Sequence, residues 1–330
     1  MYNKGMTEIQ RCDSKERWDE YVLEHHGHPL QLWGWGQVKA SHGWKAERLF
    51  IVEDTEVIGA AQLLVRPLPT PLRTFAYIPR GPMCSTEQTT PVLEALAQFA
   101  KRTYHSVTLS VEPDSMTFSK PDGWVHSTNT ILSAETILLD VTQPESELLA
   151  HMAKKTRQYI RKSASDVTIR QLRRSEEIEQ CLAIYHETAT RAGFNVHNDQ
   201  YYQDVANQLQ DHSPIFGAYV GDTMVAFLWL AISGQTAYEL YGGVTEKGQE
   251  VRANYALKWH AIRKVKSWGI ARYDFGGIVA GGVATFKQGW ASEETVFSGT
   301  FDKPLSPLYV LWSKGLPFAK KTAQKLRRKK

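Results

Sequence analysis

One pattern of elements occurs twice in this chain, and the repetition constrains the fold more than any single motif. Near Glu47 the segment ERLFIVEDTEVIGAAQLLVRPL reads as two strands around a polar turn at residues 53–55. TFAYIPRGP follows as a strand ended by proline and glycine. PVLEALAQFAKRTY then reads as a helix, with Leu93, Leu96, Ala97 and Ala100 at i, i+3, i+4 and i+7, and VTLSVEPD as a strand that stops at Glu112 and Pro113. Near Pro214 the same order begins again. PIFGAYVGDTMVAFLWLAIS is a strand pair turning at Gly221 and Asp222, and TAYELYGGV is a strand ending in two glycines. ANYALKWHAIRKVKSWG is a helix with Leu257, Ala261, Val265 and Trp268 on one stripe, stopped by Gly269, and ARYDFGGI is a last strand. Helical segments precede each copy, at residues 18–24 and 33–42 in the first and 176–192 and 199–210 in the second.

Two copies of strand–turn–strand–strand–helix–strand in 330 residues predict two α+β domains. Between them ETILLDV reads as a strand. A single helix is then expected from Pro144, with Leu148, Leu149, Met152, Thr156, Tyr159 and Ile160 at helical spacing. The boundary is expected near Gln143. The first domain takes residues 1–143 and 303–330, the latter an amphipathic helix packing back on it, and the second takes 144–302.

Several function classes are excluded early. No window approaches 18 consecutive apolar residues, and the first twenty lack the apolar stretch of a secretory signal. The three cysteines are far apart and odd in number, which argues against a disulfide scaffold and for a reducing cytoplasm. The eleven histidines form no HxH or HExxH pattern, and their one cluster, at residues 25–28, falls in an expected loop, so no metal is expected. No nucleophile elbow and no phosphate loop of the GxxxxGK type occur. The net charge of +4 is mild, but residues 320–330 carry Lys or Arg at seven of eleven positions, and KKTRQYIRK forms a second cluster. Such runs attract nucleic acid, anionic lipid or phosphorylated substrates; the plain alternative is a solvated tail and a solvated helix face.

The order of elements resembles the acetyltransferase fold called GNAT. In that fold a glycine-rich loop before a helix cradles the coenzyme A diphosphate with backbone amides. Here the second copy reads EKGQEVRANYALK, with Arg252 where the cradle needs glycine. A long side chain there obstructs the cradle, so coenzyme A is not the expected donor and no cofactor is assigned. Two fused copies with a broken loop resemble the Fem family of peptidoglycan bridge aminoacyltransferases. The matching segments, in order, are LQLWGWGQVKASHGWK, AYIPRGPM, LSVEPD, KKTRQYIRKS, GFNVHNDQYYQDV, YELYGG, ANYALKW, YDFGGI and TFKQGW. No long heptad stretch is present, so the chain resembles the short, monomeric FemX-like type without a coiled-coil arm.

The resemblance implies transfer of an amino acid from aminoacyl-tRNA to the stem-peptide amine of a UDP-linked or lipid-linked muropeptide. It also implies roles at particular positions. Lys287 in TFKQGW matches the transfer centre, where an ammonium pairs with the terminal phosphate of tRNA or offsets oxyanion charge. Phe286 beside it could stack on the terminal adenine or be core. Lys39 matches a contact to the precursor diphosphate, with Trp35 shaping the groove wall. His197 stands where the family often has an arginine. A histidine lacks the guanidinium fork, and Arg191 is the nearby cation that can substitute. Tyr201 and Tyr202 are offered as partners for phosphate or sugar, with one of the adjacent pair expected inward. Tyr241 is offered as a hydroxyl in the cleft. Glu112 aligns with an aspartate considered as a proton acceptor, one methylene longer here. The basic tail at 320–330 is a candidate contact to an anionic membrane surface from the cytoplasmic side. Two rivals predict different observations. A coenzyme A-dependent N-acyltransferase would bind acyl-coenzyme A tightly. A non-catalytic RNA-binding protein would bind RNA in a salt-dependent way without product.

Overall fold

The computed structural model describes residues 7–173, 175–278, 286–291 and 293–315. The chain divides into two compact units, Met1–Ala134 with Val296–Lys330, and Glu135–Thr295. Each is a mixed α+β unit built on its own sheet.

The first unit runs β1 (Glu8–Arg11), α1 (Lys15–Glu24), α2 (Trp33–Ser41), β2 (Lys45–Glu53), β3 (Glu56–Pro67), β4 (Thr74–Pro79), α3 (Thr89–Tyr104) and β5 (Ser106–Glu112). Its sheet has the order β1-β2-β3-β4-β5, continued by Phe301–Pro304 and Val125–His126. The β2–β3 turn puts Asp54 and Thr55 at φ 48° and 74°, the left-handed pair that a tight hairpin requires. The α3 crossover makes β4 and β5 parallel, and they end with Pro79 beside Glu112. The expected stripe of α3 is buried: Leu93, Leu96, Ala97 and Ala100, with Val92, pack on Leu49, Ile51, Leu63, Ile78 and Leu109. Burying each larger aliphatic side chain contributes roughly 1.5–3 kcal/mol.

The second unit runs β6 (Leu138–Asp140), α4 (Glu145–His151), α5 (Lys154–Ala164), β7 (Thr168–Leu172), α6 (Ser175–Ala192), α7 (Asp199–Leu209), β8 (Ile215–Val220), β9 (Thr223–Ser233), β10 (Thr236–Val244), α8 (Glu246–Glu250), α9 (Ala253–Ser267) and β11 (Arg272–Asp274). Its sheet order is β7-β8-β9-β10-β11-β6. β10 and β11 run parallel only from Thr236↔Arg272 to Tyr238↔Asp274, where β11 ends. One residue further on, β10 carries a bulge. Trp229 pairs with Tyr241 and Leu230 with Glu239, leaving Leu240 as the extra residue. Glu239 therefore shares a face with Leu228 and Leu230, under α9. Tyr241 shares the opposite face with Phe227 and Trp229, toward α6 and α7.

Three expectations are corrected. The unit boundary lies before residue 135, not near Gln143, because β6 pairs with β11 in the second sheet. At the other end residues 296–302 fall in the first unit rather than the second, because Phe301 pairs with Val111 on β5. The single helix from Pro144 is two helices, broken at Met152 and Ala153, which are both extended. Ala153 gives its amide to Gly289 O at 3.0 Å instead of to its own helix. Arg157 Nη1 collects the carbonyls of Leu149, Ala150 and Met152 at 3.0–3.2 Å and so caps α4. Of the C-terminal segment, residues 309–315 are helical, and Trp312 packs on Phe75 of the first sheet at 5.1 Å. The basic tail at 320–330 lies outside the described residues.

Candidate active site

In the first unit the segment LQLWGWGQVK is fastened to the sheet by two buried glutamines. Gln31 donates to Pro79 O at 2.5 Å and accepts from Gln62 N at 2.8 Å, and Gln62 Nε2 donates to the carbonyls of Leu30 and Leu32 at 3.1 Å. A Cβ at Gly36 would stand 2.2 Å from Gln62 Oε1, so the glycine lets α2 lie this close to β3. Lys39 is in the last turn of α2, half-buried, with Nζ 4.5 Å from the ring centre of its own Trp35. Burial first, and then the charge of Arg66, lower its pKa to about 8. Trp35 itself is buried. Sequence reasoning missed Arg48, a buried guanidinium 3.9 Å over the Trp33 ring that donates to Trp33 O and Gln37 Oε1.

Glu112 is buried at the end of β5 and its carboxylate is fully engaged. It accepts from the hydroxyls of Tyr77 and Thr300, the latter at 2.8 Å, and from the amides of Ile131 and Leu132 at 2.9 and 3.1 Å. All four donors are neutral. The arrangement ties a distant loop to the strand end.

In the second unit Lys287 donates to the carbonyls of Phe275 and of Gly277, the latter at 2.7 Å. Burial lowers its pKa, against the opposing pull of Glu239 and Asp274. Phe286 is packed rather than presented, with ring centres 4.9 Å from Tyr255 and 5.9 Å from Trp290. Close by is a group the sequence reading passed over. Lys258 donates to both oxygens of Glu239 at 2.6 and 2.8 Å, and Tyr273 OH donates to Glu239 Oε1 at 2.8 Å. The signal was present: Lys258, Ala261, Ile262 and Val265 sit at i, i+3, i+4 and i+7, so a lysine begins the buried stripe.

The tyrosines form a separate cluster on the other face of the sheet. Tyr201 and Tyr202 are both buried, at 3% and 1% exposure, where one was expected inward. The reason is cover on two sides. His197 stacks on Tyr201 at 4.0 Å, and Tyr202 meets Tyr185 and Tyr241 edge-on at 5.5 and 4.9 Å. Tyr202 OH accepts from the His197 amide at 2.9 Å. The hydroxyl of Tyr241 engages Tyr201, and burial pushes its pKa well up, so it is a neutral phenol inside a cluster. The His197 side chain is exposed. Arg191 donates to Glu187 at 3.0 Å and to Val244 O at 2.6 Å.

The loop before α9 is not an open cradle. It is wound into α8, with Thr245 capping Gly248 N at 3.0 Å. The amides of Gln249, Val251, Arg252 and Tyr255 go to carbonyls within the same turn. The one glycine there faces backbone, since a Cβ at Gly248 would lie 2.3 Å from Val225 O. Arg252 adopts φ 57° and lays its guanidinium 4.0 Å over Tyr159. Among the described residues no group of three or more His, Cys, Asp or Glu could hold a metal ion, and no helix is long and apolar enough to cross a membrane.

Residues 14–120 match the FemAB family, and residues 150–288 match the acetyltransferase (GNAT) domain. The first unit thus carries the FemAB match and the second the acetyltransferase match, and the chain is a transferase built as two GNAT-like units. The lipid II:glycine glycyltransferase of Staphylococcus saprophyticus is 21% identical over 402 residues, covering 94% of this chain and 97% of that protein. Because 402 positions exceed the 330 residues here, the staphylococcal FemAB relative carries insertions that this chain lacks. The crystal structure of FemX superposes with a TM-score of 0.82 at 20% identity, covering 92% of this chain and 99% of that one. A tandem GNAT protein from the clavulanic acid biosynthesis pathway gives 0.53 at 10% identity over 92% of this chain and 99% of that one. These two likenesses establish the doubled fold.

Proposed function

We propose that this protein moves an amino acid from the ester of an aminoacyl-tRNA to an amine on the stem peptide of a UDP-linked or lipid-linked peptidoglycan precursor. The reading is carried by one contrast in the second unit. An ammonium, Lys287, is anchored at the strand end, while in the loop that would hold a coenzyme diphosphate the amides of Gln249, Val251 and Arg252 are engaged within its own turn and Arg252 stands where a cradle needs glycine. A donor that arrives already activated, as an ester, needs no such cradle. The name of the staphylococcal relatives, which act on lipid II, supports the precursor class.

The chemistry then divides between the units. The first unit takes the precursor, with Lys39 on its diphosphate and Trp35 as wall. The second takes the esterified end of tRNA. The free amine attacks the ester carbonyl, a C–N bond forms, and the carbonyl electron pair moves to oxygen. Collapse breaks the C–O bond, and the amine proton ends on the departing ribose oxygen. Lys287 acts on the negative charge, at the oxyanion or the terminal phosphate. Glu112 is assigned to holding the 131–132 loop rather than to accepting this proton, because neutral donors already occupy both its oxygens. With His197 exposed and stacked, Lys39 carries the diphosphate. The protein works as a monomer on the cytoplasmic side. The exposed Lys154, Lys155, Arg161 and Lys162 of α5, with the basic tail, favour tRNA or an anionic membrane surface.

The test is one incubation with a pool of charged tRNAs and both precursor types, followed by mass spectrometry of the muropeptides. An added residue mass identifies donor and acceptor together. Unchanged precursor in every combination, with salt-dependent RNA binding, favours the binding-protein rival; acylation from acyl-coenzyme A favours the other.

A further inference from the structure

Lys258, Glu239 and Tyr273 are 4%, 9% and 0% exposed. A buried ion pair is often no more stabilising than apolar residues of the same volume, so packing alone does not account for this one. Its neighbours do. The ring of Phe275 covers the Lys258 ammonium at 4.1 Å, and the carbonyl of the same Phe275 accepts from Lys287. Phe286, which precedes Lys287, has its ring 5.1 Å from the same ammonium. Glu239 also meets this strand end through its backbone. Gly276 has φ 71°, and a Cβ there would stand 2.2 Å from the Glu239 carbonyl oxygen. The seat of Lys287, residues 275–277, thus rests on Glu239 and Lys258 from below.

The geometry points to Lys258 as a positioning residue for Lys287, acting with Glu239 and Tyr273 through the 275–277 strand end and not by touching substrate. This rests on the reading of Lys287 as the transfer centre. The charges facing Lys287 are Glu239 on β10, Asp274 on β11 and Lys258 on α9, with the neutral phenol of Tyr273 beside them. The carboxylates favour the Lys287 ammonium and the Lys258 cation opposes it, while burial lowers both amines. The pair therefore fixes where Lys287 sits and biases how readily it holds its proton.

The experiment reads the Lys287 amine directly. The full chain is labelled with 13Cε-lysine, the Lys287 signal is assigned with Lys287→Arg, and its pH titration is followed in wild type, Lys258→Met, Glu239→Gln and the double variant. Lys258→Met is expected to raise the titration by about one pH unit and Glu239→Gln to lower it by a similar amount, with the double variant near wild type. Either single change lowers kcat ~10-fold with KM nearly unchanged, as a misplaced group does. A Lys287 titration that stays put in both folded single variants overturns the positioning role. Should those variants fail to fold, Tyr273→Phe keeps the ring and removes one donor from Glu239. It is expected to raise the titration by a few tenths of a unit, and no movement overturns the proposal. Full turnover in Lys287→Ala overturns the transfer-centre reading alone, because the titration of the amine does not depend on turnover.

Discussion

The two repeats end their parallel strand pairs in the same way and use the ends differently. In the first unit β4 and β5 close at Pro79 and Glu112; in the second β10 and β11 close at Tyr238 and Asp274. Both closing acids take neutral donors. Glu112 has the Tyr77 and Thr300 hydroxyls and two amides, and Asp274 has Thr136 Oγ1 at 2.6 Å and Gly276 N at 2.8 Å. What differs is the ammonium pair. The second end holds Lys258 on Glu239 and Lys287 on two carbonyls, whereas the first end holds one buried guanidinium, Arg80, on the Ser133 carbonyl and over the Phe297 ring. A duplicated scaffold kept its structural carboxylate twice and placed a buried lysine–carboxylate pair at one copy. Position at a strand end is therefore a poor guide to which acid is chemical.

Four measurements break or sharpen that contrast. The largest effect is expected for Glu239→Gln, which leaves Lys258 buried without its counter-charge and costs about 3–5 kcal/mol in denaturant unfolding. Next, Lys287→Ala should lower kcat by ~10²–10³ while the fold persists. Glu112→Gln at the first end should cost about 1–3 kcal/mol of stability and lower kcat less than ~10-fold. A loss of turnover there equal to that of Lys287→Ala would erase the distinction between the two ends. The smallest effect is one of pH. Lys39 titrates near 8, below its ordinary value because of burial and Arg66. It is cationic below that pH and loses its charge above it, so affinity for an anionic precursor falls as pH rises through about 8. KM for the precursor should rise several-fold, roughly up to ~10-fold, between pH 7 and 9 in wild type and stay flat in Lys39→Met.

Much of the fold was legible because it is written in periods. The stripe of α3, the two hairpin turns and the order of elements follow from local spacing. The features that escaped depend on partners far along the chain. The break at Met152 needs Gly289 to accept the Ala153 amide, and the engagement of Glu112 needs Ile131, Leu132 and Thr300. The burial of both Tyr201 and Tyr202 needs His197 to fold back and Tyr185 to cover from α6. Within the site, Lys39 and Lys287 could be singled out from motifs, but the geometry around them could not. Lys258 was readable as the first position of an apolar stripe and was hidden by its identity, since a lysine at such a place is expected to reach for solvent.

The extra residue at Leu240 sets the parity of β10. It sends Glu239 to the ion-pair face and Tyr241 to the phenol face, although ordinary alternation would put both on one side. A regular β10 of the same length would bring the Tyr241 hydroxyl to the carboxylate's side beneath α9, so it is the extra residue, not the identity of either side chain, that keeps the two layers chemically distinct.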